Sequence, residues 1–70
     1  MHPLIQKAIN HLASNNYRGY FEEMDSIIPP SISTEYQELK VFFVIGIKNE
    51  EFKEALMIFA VEVNDKINKV

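Results

Sequence analysis

TEYQELKVFFVIG, residues 34–46, is the stretch on which the fold class turns. Its second half, Val41 to Ile45, is built of β-branched and aromatic residues, the composition of a strand. Its first half reads differently. Thr34 and Gln37 have the spacing of a capping box, and Glu35 suits the positive end of a helix dipole. No turn residue separates the halves before Gly46, so a helix that begins at Thr34 runs on to the glycine, a plausible helix end. Tyr36, Leu39, Phe43 and Ile47 form its stripe, while Val41, Phe42, Val44 and Ile45 make it apolar on nearly every side. A helix of that kind is central in its domain or covered by a partner.

Upstream, NNYRGYFEEMDSIIPP (residues 15–30) carries Tyr17, Tyr20, Phe21, Met24, Ile27 and Ile28 on one helical stripe, starting from a cap at Asn15 or Asn16. Glu22, Glu23 and Asp25 fall on the opposite side as a solvated acidic face. Gly19 costs this helix ~1 kcal/mol against alanine, and close approach of a neighbouring helix is a reason to keep it. Pro29 and Pro30 end the segment. Before it, Pro3 suits a first helical turn, and Ile5, Ala8, Ile9 and Leu12 give an amphipathic face that stops at Ser14 to Asn16. Downstream, Asn49 with Glu50 and Glu51 opens a last helix running toward Lys69. Its face is Phe52, Ala55, Leu56, Phe59, Val63 and Ile67, with Met57, Ile58 and Val61 partly off the stripe.

The reading is one all-α domain over residues 1–70, a compact helical bundle. The helical pattern runs close to Val70, as expected of the first domain of a longer protein. Seventy residues bury a limited fraction of their surface, and a surplus of apolar side chains has few places to go. There is no cysteine, so neither a disulfide nor a thiolate metal site is available. A net charge of -3, with basic residues scattered singly, lacks the stripe that binds nucleic acid. The N-terminus has no basic region ahead of an apolar core, and the longest apolar run is far below the ~20 residues of a membrane span. The chain is therefore expected in the cytoplasm, with no membrane partner.

The residues offer little chemistry. Glu22, Glu23 and Asp25, like Glu50, Glu51 and Glu54, read as exposed faces rather than a pair of carboxyls in unlike environments. His2 and His11 lack neighbouring ligands at metal spacing. The serines stand in cap and turn contexts without a nucleophile elbow, and Gly19 and Gly46 are too few for a phosphate loop. No catalytic residue, metal, cofactor or small-molecule substrate is expected. Binding by surface is what survives.

The elements Asn16-Tyr17, Phe21, Met24-Asp25, Pro29, Tyr36, Leu39-Lys40, Gly46, Phe52, Leu56 and Phe59, spread over nearly the whole chain, resemble those of the small effector-associated domains of bacterial conflict and signalling proteins. The resemblance implies a death-like bundle of about four to six helices that acts as a non-catalytic adaptor. It would pair with a like domain and so bring an effector, such as a caspase-like protease, a TIR enzyme or a nucleotide-switched ATPase, to its trigger. Pairing is expected to set the acidic residues Glu22, Glu23, Asp25, Glu50, Glu51 and Glu54 against the basic Lys7, Arg18, Lys40 and Lys53, and so to weaken with salt. Two alternatives stand beside it. One is a stand-alone regulator, an antitoxin or inhibitor, covering an unrelated protein with its apolar faces. The other is an obligate homodimer held by Phe42, Val44, Met57 and Val61.

Overall fold

A computed structural model describes residues 1–68. Its elements in chain order are α1 (Pro3–Ala13), α2 (Tyr17–Met24), a 3₁₀ turn (Pro30–Ile32), α3 (Ser33–Val44) and α4 (Glu50–Ile67), with no strand among the described residues. Lys69, toward which the last helix was expected to run, lies outside them.

Each chain reversal is written in local side chains. α1 ends where Asn15 takes a left-handed conformation (φ 59°), with the Asn15 and Asn16 amides donating back to the Leu12 and His11 carbonyls. That is a Schellman closure, and Asn is the residue other than glycine that enters it most readily. Asn16 then caps α2 at once, its Oδ1 accepting from the Gly19 amide at 3.0 Å. α3 closes the same way. Gly46 sits at φ 94°, its amide bonds the Phe43 carbonyl, and the Ile47 amide bonds that of Phe42. Asn49 caps α4 by accepting from the Phe52 amide at 2.8 Å, and Glu50 and Glu51 follow in the first turn.

Two boundaries differ from the sequence reading. α3 starts at Ser33 without a side-chain cap, so Thr34 and Gln37 form no capping box. The preceding prolines explain it: Pro30 opens a 3₁₀ turn that feeds α3 directly and leaves no room for a separate cap. α2 stops at Met24, four residues before the expected end, and Ile27 and Ile28 reach the core from the turn beyond it. Of the four to six helices expected, the described residues form four α-helices.

The core is one cluster. α1 contributes Ile5, Ala8 and Leu12, and α2 contributes Tyr17, Tyr20, Phe21 and Met24. Ile32 and Tyr36 enter from the 3₁₀ turn and α3, and Phe52, Leu56, Phe59, Ala60 and Val63 from α4. α1 and α2 form a hairpin on which α4 lies. Aromatic contacts link the helices. Tyr17 stacks on Phe52 (centroids 5.9 Å apart), Tyr36 on Phe59 (5.8 Å), and Phe43 tilts against Phe21 (5.0 Å). Buried hydroxyls are used as well: Tyr20 donates to the Leu56 carbonyl at 2.8 Å, and the Tyr36 hydroxyl lies 3.1 Å from the Phe21 carbonyl. Among the described residues no buried side-chain polar atom lacks a partner. A radius of gyration of 11.1 Å is that of a compact chain of this length, ~11 Å.

Candidate interaction surface

The charged candidates divide by what they touch. Asp25 and Lys40 meet inside one molecule, Lys40 Nζ donating to Asp25 Oδ1 at 2.7 Å. The same oxygen accepts from the Tyr36 hydroxyl, and the lysine ammonium stands 5.5 Å from the centre of the Tyr36 ring. Partial burial pushes the Asp25 carboxyl up, but the hydrogen bonds from Lys40 and Tyr36, together with the lysine charge, outweigh it and hold the carboxyl below its ordinary range. Burial, then the bond to Asp25 and its charge, push the Tyr36 hydroxyl up. The trio fastens the end of α2 to α3. Sequence spacing could not show this, because the partners come from two helices.

Glu23 is half-buried beside His11, 3.9 Å from its Nε2, and Lys53 comes within 4.0 Å of Glu50 one turn away. Glu22, Glu51, Glu54, Lys7 and Arg18 are exposed. The acidic face of α2 is thus partly committed to contacts within the fold.

The apolar surplus lies in the open in two groups. At the end of α3 Val41 is 57% exposed, Phe42 44%, Val44 77% and Ile45 65%. On α4 Met57, Ile58 and Val61 are between 40% and 62% exposed. The helical period accounts for both. With Tyr36, Leu39 and Phe43 turned inward, Val41 and Ile45 fall on the far side of α3; with Leu56, Phe59 and Val63 inward, Ile58 and Val61 fall outside α4. Phe42 is the partial exception, its ring meeting Phe52 edge-on at 6.4 Å. Phe42, Val44, Met57 and Val61 were expected as apolar interface residues; Val41, Ile45 and Ile58 join them. The signal for these three was already present, since each stands opposite its helix's stripe.

The α3 group has a chemical feature of its own. Residues 41–47, VFFVIGI, contain no charge, and the first charges on either side are Lys40 and Lys48, with Glu50 and Glu51 following. An apolar centre with a charged border is the anatomy of a protein contact surface. Among the described residues there is no concave pocket and no gathering of three or more His, Cys, Asp or Glu side chains able to hold a metal. Among the described residues no helix is long and apolar enough to cross a membrane.

Comparison of the chain with protein-family models, with curated proteins and with solved structures gives no match.

Proposed function

We propose that this domain is a non-catalytic recruitment module that pairs reversibly with a second copy of itself through the exposed end of α3. The observation that carries the reading is the set Val41, Phe42, Val44 and Ile45, open to solvent together at one end of α3 and including the most exposed large apolar side chain, Val44. The second copy is favoured by three arguments. A charge-free patch meets itself without like-charge repulsion, even on a chain of net charge -3. Lysine and glutamate both stand at its border, so two copies related by a two-fold axis can match rim charges of opposite sign. Size sets the strength. Four side chains of this kind offer a few hundred Å², well under the ~800 Å² each partner gives to a standard interface, which is the range of transient rather than obligate association.

This shifts the contact from the acidic faces to the apolar end of α3 and keeps the charges as its rim. Recruitment of an effector by a like domain, in the manner of bacterial effector-associated domains, is the use that the residue pattern quoted above supports best. In such a system the domain does no chemistry and acts from the cytoplasm.

Size-exclusion chromatography with light scattering, run over a concentration series at low and high salt, tests the reading. The wild-type chain should pass from monomer to dimer in the micromolar range or above, with little loss at high salt. Val44→Lys and Ile45→Lys should abolish the dimer and leave helicity and melting temperature nearly unchanged. Charge reversal at Glu22 and Glu23 should leave the dimer intact. A dimer that dissolves in salt and survives the lysines would return the contact to the acidic faces. A monomer at every concentration would show that the partner is a different protein.

A further inference from the structure

We infer that His11 is a two-position latch on the α1–α2 hairpin, bonded to Asn16 when neutral and handed to Glu23 when protonated. The orientation of Asn16 makes the argument. Its Oδ1 is committed to the Gly19 amide at 3.0 Å as the cap of α2, so the atom it turns toward His11 is the amide nitrogen, 3.2 Å from His11 Nδ1. A side-chain N–H faces that ring nitrogen, so Nδ1 must accept and the ring proton must lie on Nε2. Nε2 in turn points at Glu23 Oε1, 3.9 Å away, too far for a hydrogen bond but within reach of an ion pair.

Place separates this from an ordinary surface histidine. His11 is in the last turn of α1, its own carbonyl accepts the Ser14 and Asn16 amides, and its ring lies where a Cβ on Gly19 would stand, 2.6 Å from Cγ and from Nδ1. In a Schellman closure the residues bracketing the turn commonly meet through an apolar contact. Here His11 and Asn16 occupy those two positions, and the contact between them is a hydrogen bond. Of the charged groups around the ring, Glu23 faces it from α2, and Lys7 stands one turn earlier on its own helix.

Protonation puts a second hydrogen on Nδ1, against the Asn16 amide. Asn16 cannot answer by rotating, because its amide group would then face the Gly19 N–H and the cap would be lost. With the cap kept, the His11–Asn16 bond is broken. In exchange the imidazolium gains the Glu23 carboxylate and the negative end of the α1 dipole. The latch therefore exchanges a contact across the turn for one between helix faces as the medium acidifies.

Double-mutant cycles at about pH 8 and about pH 5 read the exchange. The variants are His11→Ala, Asn16→Ser, which keeps a capping oxygen and removes the amide, and Glu23→Gln. At the higher pH the His11–Asn16 pair should couple by about three- to fivefold in the folding equilibrium, as one ordinary hydrogen bond does, and the His11–Glu23 pair by nearly nothing. At the lower pH the first coupling should vanish and the second should rise to about twofold, the worth of a partly exposed ion pair. Ring ¹⁵N shifts of the wild-type chain give an independent reading free of mutants: a bare Nδ1 at the higher pH is expected. A proton on Nδ1 there, or couplings that do not change places with pH, would overturn the inference.

Discussion

Replacing Gly19 by alanine sets two effects of known sign against each other. In a helix interior alanine is favoured over glycine by up to ~1 kcal/mol, so a view from propensity alone expects a more stable protein. The structure says the opposite. The new Cβ would stand 2.6 Å from His11 Cγ and Nδ1 and 2.7 Å from Asn16 Nδ2, where carbon atoms in contact lie ~3.5–4.0 Å apart. Asn16 Nδ2 belongs to the side chain whose Oδ1 caps α2, and Cγ is the root of a ring anchored on α1, so the ring must swing away by about 1 Å. Overpacking of this size costs ~1–3 kcal/mol, and the broken His11–Asn16 bond adds ~1 kcal/mol. Against the propensity gain, Gly19→Ala should destabilise the wild-type chain by ~1–3 kcal/mol. With His11→Ala in place the ring is gone and only Asn16 Nδ2, at 2.7 Å, still meets the new Cβ, so the same substitution should destabilise clearly less than in the wild-type chain. Urea unfolding followed by far-ultraviolet circular dichroism, at constant m-value, gives both numbers. Stabilisation in the wild-type background, or equal destabilisation in both, would refute the steric reasoning.

Two further predictions concern pH. Because Asp25 is held below its ordinary carboxylate range in the folded chain, its contribution is complete above the unfolded value and is lost as pH falls through the folded one. Asp25→Asn should remove that acid-limb dependence, and with the carboxylate 48% exposed the change should stay below ~1 kcal/mol and shrink with salt. Tyr20 and Tyr36 are held above the ordinary tyrosine range, first by burial, so their contribution is complete below the unfolded value of about 10 and declines above it. Absorbance at 295 nm should show both ionising only as circular dichroism reports unfolding, and Tyr20→Phe should cost ~1 kcal/mol by removing the donor to Leu56. Ionisation of either hydroxyl in the folded chain near pH 10 would contradict it.

Helix identity was legible wherever it is written locally. Pro3, Asn16, Gly46 and Asn49 start or stop helices in the structure where their side chains and backbone preferences say they should. The segment VFFVI, ambiguous by propensity, is helical up to Val44 because it continues α3 without a break. Thr34 misled because a capping-box spacing describes a helix entered from extended chain, and the prolines supply a 3₁₀ turn instead. What could not be read is pairing between elements. Nothing near Asp25 in sequence announces Lys40 and Tyr36, nor does anything near His2 show that its ring caps α1 while its amide donates to Asn64 on α4. The charged candidates suffered most from this, since a sequence cannot distinguish a free acid from one engaged with a partner in its own fold.

The exposed end of α3 is not explained by what the fold needs. Tyr36, Leu39 and Phe43 are the residues through which α3 joins the core, and with their stripe satisfied the opposite positions can be polar at no cost to the monomer. Val44, 77% exposed, gains almost nothing from folding that a glutamine or lysine would not gain, while a polar residue there would improve helix propensity and solubility. The same holds for Ile45 and Val41. A 70-residue domain has little stability in reserve and is exposed to aggregation through such a patch, so retaining four large apolar side chains together, without a charge among residues 41–47, works against the isolated chain. Covering them on association reverses the sign, because every Å² withheld from water then favours the bound state by ~25 cal/mol. The acidic residues fit the same logic at lower weight. Exposed charges contribute little affinity, but they orient an encounter and penalise a wrong partner. Under the proposed pairing, strength lies in α3 and choice in its charged border.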